Sequence, residues 1–78
     1  MQTVNQFLGR LWYTTEIVIV PYNHVPIDTP DIDSFKKIAL WNGSVNSTRS
    51  CLAIQTLQRY VKSYGIVDNT LIIEILED

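Results

Sequence analysis

Few side chains in this sequence are of a type that does chemistry, and their spacing decides how far each can be taken. Cys51 and His24 are the only cysteine and histidine. A thiol–imidazole pair would be a nucleophile with its base, provided the two meet in space. Cys51 is expected in the first turns of a helix, where the helix dipole favours a thiolate. It also adjoins an apolar stripe, which suits a structural cysteine better. His24 sits in a proline-bounded loop and reads as a turn or contact residue. Asp28, Asp31 and Asp33 form the one acidic cluster, with part of the spacing of a hard-cation site. The twelve-position calcium loop and its closing glutamate are missing, and helix capping explains Asp31 and Asp33 without a metal. One cysteine and one histidine do not make a zinc site.

Glu16 and Glu74 would be a carboxylate pair if their strands were neighbours and in register. Like charges so placed need separation or a basic partner, and a structural salt bridge to Arg10 or Arg59 is the better reading. Phosphate-binding and nucleophile-elbow glycine motifs are absent, and the three glycines stand at breaks. Neither a catalytic set, nor a metal site, nor a cofactor is expected.

A nucleic-acid reading rests on Lys36, Lys37, Arg59 and Lys62, with Arg49 and several aromatic rings nearby. Arg59 and Lys62 are three apart and would share a helical face. The chain carries six basic and eight acidic residues, net charge −2. So weak a field gives no electrostatic case for nucleic acid or an anionic membrane.

The elements that would position these groups follow from periodicity. Residues 47–65 carry Ala53, Ile54, Leu57, Val61 and Tyr64 at spacings of three and four. This predicts a long amphipathic helix, capped by Ser47 and ended by Gly65. Val4, Phe7, Leu8 and Leu11 predict a short first helix, with a strand as the alternative. Residues 12–20 alternate as a strand that Pro21 stops. Thr29-Pro30-Asp31 reads as cap, first helical position and acidic first turn of a short helix to about Trp41. Asp33 is the alternative cap. Asn42-Gly43 predicts a polar turn between the two helices. Asp68-Asn69 predicts a turn before a final strand, 70–76, with Leu71, Ile73 and Ile75 inward.

The sum is a single small α+β domain over 1–78. It is a two-layer arrangement in which a short mixed or antiparallel sheet packs against two helices. Two strands alone are marginal, so the N-terminal segment or a second copy is expected to extend the sheet. At 78 residues and 46% apolar composition, the core has little margin. One cysteine leans towards a reducing compartment, and no signal peptide or membrane-length apolar run is seen. A soluble cytoplasmic protein is expected, in the host cytoplasm if the gene is viral.

Function is read by elimination. The expectation is a non-enzymatic protein-binding protein, an adaptor or inhibitor of a larger protein. A self-assembling subunit, homodimer or higher, is the alternative, with weak nucleic-acid binding third. Large amphipathic rings are many for so small a chain, and such rings are enriched at interfaces. The contact candidates are Ile72, Leu76 and Glu74 on the last strand, with Tyr60, Trp41 and Tyr22. Ile72 and Leu76 are too apolar for a simple solvent face.

Overall fold

A computed structural model describes residues 1–22 and 31–76. His24, Asp28 and the proposed Thr29-Pro30 helix start lie outside the described residues. The elements, in chain order, are α1 (Val4–Leu8), β1 (Glu16–Pro21), α2 (Ile32–Ile38), β2 (Trp41–Ser44), α3 (Val45–Cys51), α4 (Ile54–Leu57), β3 (Val61–Val67) and β4 (Thr70–Ile75). They form the small α+β domain that the sequence predicts, with a short mixed sheet packed against helices.

The sheet has four strands in the order β2-β1-β4-β3. β1 runs antiparallel to β2 and parallel to β4, and β3 is antiparallel to β4. The two central strands are buried on both sides, which is why β1 and β4 read as nearly continuous apolar runs. Their alternation divides the interior in two. Ile17, Ile19, Leu71, Ile73 and Ile75 face α1, α3 and α4, whose Val4, Leu8, Val45, Leu52 and Leu57 pack against them. Val18, Val20 and Ile72 face the other way and are covered by Phe35, Ile32 and Ile38 of α2. The helices therefore occupy both faces of the sheet.

Local chemistry sets the ends of the helices. Thr3 and Gln6 form a reciprocal capping box at α1: the Thr3 hydroxyl accepts from the Gln6 N–H (3.2 Å), and the Gln6 amide oxygen accepts from the Thr3 N–H (3.0 Å). Asp31 caps α2 by accepting the Ser34 N–H at 2.8 Å, so Asp33 lies in the first turn rather than at the cap. Ser44 caps α3 through the Ser47 N–H.

Several expected elements are corrected. The first strand begins at Glu16 rather than at residue 12 and includes Pro21, which stands opposite Ile75, and α2 ends at Ile38, before Trp41. Residues 47–65 are not one helix: α3 ends at Cys51, α4 is a single turn, and Val61–Val67 is a strand. Residues 60–67 carry two tyrosines, two valines, an isoleucine, a serine and a glycine, all poor helix formers, and β-branched and aromatic side chains favour a strand. The Asp68-Asn69 turn then closes a hairpin, both residues taking positive φ (49° and 61°) as a two-residue type I′ turn requires. Asn42-Gly43 is likewise no turn. It lies in edge strand β2, with Val18 opposite Asn42 and Ile17 opposite Gly43.

Candidate contact surface

Of the two edge strands, β2 and β3, the outer side of β3 is unpaired over much of its length among the described residues. At its start the N-terminal segment covers it. The Val61 N–H donates to the Gln2 carbonyl (2.9 Å) and the Val4 N–H to the Arg59 carbonyl (2.8 Å), flanking a bridge between Thr3 and Tyr60. A bulge at Lys62 follows, between the pairs Val61–Ile75 and Ser63–Glu74. From 63 to 67 no described segment pairs with the outer edge.

The side chains along that stretch alternate. Tyr64 stands opposite Ile73 and Ile66 opposite Leu71, so both are on the α1 face of the sheet. The helices do not reach over them. Tyr64 is 65% exposed and Ile66 75% exposed, the highest value of any aliphatic residue after Met1 among the described residues. A methyl group at Gly65 would meet nothing within 4 Å. The Tyr64 ring lies 5.0 Å from that of Phe7, tilted by 50°, which ties the strand to α1. Between them a groove of about 380 Å³ is lined by Gln2, Phe7, Val61, Lys62, Ser63 and Tyr64.

Several sequence-predicted contact residues are placed elsewhere. Ile72 is 2% exposed beneath Phe35, so it is a core residue rather than a surface for a partner. The sequence pattern showed that its face was apolar but not that α2 covers it. Trp41 is half-buried against the α1-side core, and its indole Nε1–H donates to the Thr48 hydroxyl at 2.7 Å. Glu74 is half-buried and accepts the Ser63 hydroxyl at 2.6 Å, so its carboxylate is already engaged. Leu76 is half-buried, its N–H donating to the Tyr60 carbonyl. Tyr60 and Tyr22 are exposed, at 50% and 41%. Lys62 holds its ammonium 5.6 Å from the Tyr22 ring centroid, a cation–π contact beside the groove. A second aromatic pair, Trp12 and Tyr13, has ring centroids 5.3 Å apart, tilted by 39°, and is also exposed. Backbone bonds from Asn46 and Val45 to Tyr13 and Thr15 hold it near β2, at the opposite edge of the sheet from β3.

The basic residues do not gather. Lys36 and Lys37 end α2 on one face of the sheet, Arg59 follows α4 on the other, and Lys62 is in the edge strand. Cys51 is the last residue of α3, exposed and free, and not at a helix N-terminus. Glu16 pairs with Ser44, while Val20 stands opposite Glu74, so the two carboxylates are four positions apart along β1. Asp31 and Asp33 belong to the first turn of α2. Hydrogen bonding from Ser34, its hydroxyl first and its backbone N–H second, holds the Asp31 carboxyl below its ordinary pKa of 3.8, with Lys37 adding to the effect. Among the described residues no three of His, Cys, Asp and Glu come together. Nor is any described helix long and apolar enough to cross a membrane.

Ile66 and Phe7 are exposed-edge and groove residues that sequence reasoning missed, and Tyr64, one of the large rings noted in the sequence, stands on a strand rather than a helix. The spacing from Leu57 and Val61 places Tyr64 on a helical stripe, although the alternation from Ser63 to Val67 and the following Asp-Asn turn are the signal of a hairpin strand. No family model, no curated protein and no solved structure matches the chain.

Proposed function

We propose that this chain is a small non-enzymatic protein-binding protein, an adaptor or inhibitor of a larger protein, whose contact element is the free edge of β3. The observation that carries the reading is the exposure of Tyr64 and Ile66 on an outer strand that bears no charge from 63 to 67. Natural edge strands are usually blunted by charges, prolines or bulges. Here the bulge and Lys62 protect only the beginning. An added strand gains main-chain hydrogen bonds along the edge, and the Phe7–Tyr64 groove supplies a pocket for one of its side chains. A self-assembling subunit that uses the same strand is the second reading. It is favoured by the opposite charges at the two ends of the free edge, Lys62 and Asp68.

The test is recovery of a tagged chain from its native cell with and without Ile66→Lys. Ile66 is exposed, so the substitution leaves the core intact. The reading expects a stoichiometric bound chain that the substitution removes. Equal recovery with both forms would contradict it.

A further inference from the structure

The free edge of β3 has a length and a pattern that fit one occupant in one register. Its outer side is covered by Gln2 and Thr3 as far as Val61, bulged at Lys62, and ended by the turn at Asp68. What remains is 63–67, centred on Gly65. We infer that the occupant is a second copy of this chain, paired antiparallel through β3 about a two-fold axis at Gly65, so that a sheet of twice the width is formed. This rests on the second reading above, a self-assembling subunit with β3 as its contact strand, and specifies the register.

Three observations converge on it. First, antiparallel pairing centred on Gly65 sets 63 against 67 and 64 against 66, so the entire free edge is used by both copies and nothing is left over. Where the neighbouring copy's strand ends in its turn, this copy's N-terminal segment begins, and the two do not compete for the same edge. Second, Tyr64 and Ile66 share one face, and in this register each Tyr64 lies beside the other copy's Ile66. Aromatic and β-branched residues opposite one another are favourable cross-strand pairs, and the symmetry makes two of them. The most exposed apolar side chains of the sheet thus cover each other next to Phe7. Third, the stretch is uncharged but its ends carry opposite signs, Lys62 before and Asp68 after. Antiparallel self-pairing brings the basic end of each strand to the acidic end of the other, whereas a parallel arrangement would set like beside like. Gly65 at the axis carries no side chain and has open space around it, so two backbones can approach closely there.

The experiment combines mass with register. Sedimentation equilibrium of the purified chain, over a wide concentration range, is expected to show reversible association from 9.0 kDa towards twice that mass. Ile66→Lys is expected to weaken the dimer by about tenfold or more, since both cross-strand pairs lose their β-branched member. For register, Gly65→Cys is made with Cys51→Ser, because Cys51 is exposed and would form disulfides of its own. Directly opposed residues in an antiparallel pair have Cα atoms roughly 4.5–5.5 Å apart, within disulfide reach. The variant is expected to cross-link to a covalent dimer on mild oxidation, while Ile66→Cys in the same background is not. A mass of 9.0 kDa at every concentration overturns the inference, as does a dimer that persists in Ile66→Lys or cross-links at 66 and not at 65. If the chain is monomeric yet still loses a foreign partner on Ile66→Lys, the second copy is refuted while β3 as a contact strand stands.

Discussion

Thr48→Val tests the physical account of the polar interior most sharply, because it alters hydrogen bonding without altering shape. Thr48 is fully buried, and its hydroxyl is used twice: it accepts from the Trp41 indole N–H at 2.7 Å and donates to the Ser44 carbonyl at 2.7 Å. Valine fills the same volume, so no cavity is made. The Ser44 carbonyl, four residues ahead of position 48, still has its ordinary helical donor. The indole N–H has no replacement in view, and a polar group left unsatisfied costs about 1–3 kcal/mol. We expect a loss of about 2 kcal/mol, which for a domain of this size lowers the melting temperature by roughly 8–16 °C. Urea unfolding followed by circular dichroism and tryptophan fluorescence measures it. Thr48→Ser is the comparison, since it keeps the hydroxyl and gives up one methyl group, at about 1 kcal/mol. Trp41→Phe, alone and combined with Thr48→Val, closes a cycle that isolates the bond. Thr48→Val within about 0.5 kcal/mol of the native protein, or milder than Thr48→Ser, would refute the reasoning.

Other positions give equally direct expectations. Gly43 has φ of +156° in β2, a backbone region that side chains rarely adopt, so Gly43→Ala is expected to cost about 1–3 kcal/mol in urea unfolding even though the added methyl would only touch Trp41. Asn69→Gly is expected to stabilise the protein by up to about 1 kcal/mol, because glycine holds the positive φ of the hairpin turn without the Cβ penalty. The Asp31 carboxyl is depressed in the folded protein, so its contribution is present above the ordinary 3.8 and is lost as pH falls through the lower folded value. Asp31→Asn should therefore flatten the acid limb of the stability profile as pH falls below the ordinary 3.8. An unchanged acid limb would argue against the cap.

How much of this was legible in the sequence depends on which interactions set each element. The last strand was readable because Leu71, Ile73 and Ile75 alternate against one core, and α1 because Val4 and Leu8 fall on one face. Both patterns are local. β3 was not readable as a strand because Leu57, Val61 and Tyr64 happen to keep helical spacing across the break between α4 and β3. The hairpin ladder with β4 decides the matter, and it pairs residues on either side of the turn. β2 was hidden for a similar reason: Trp41–Ser44 has a turn-like composition and becomes a strand only by pairing with β1. Ile72 makes the second face of its strand too apolar for solvent, yet whether α2 or another protein covers it is a tertiary fact. The exposed apolar side chains are accordingly not at the centre of the sheet on β4 but on its outer strand.

The claim that β3 is the contact strand is tested most directly by amide hydrogen exchange of the isolated chain at low and high concentration. In a free edge strand some N–H groups point to water and exchange quickly, and pairing protects them. The account predicts that amides within 63–67 gain protection as concentration rises, while those of β2, and of Trp12 and Tyr13 at the other edge, do not change. Protection confined to β2 or to the Trp12–Tyr13 pair, with 63–67 unaltered, would contradict it.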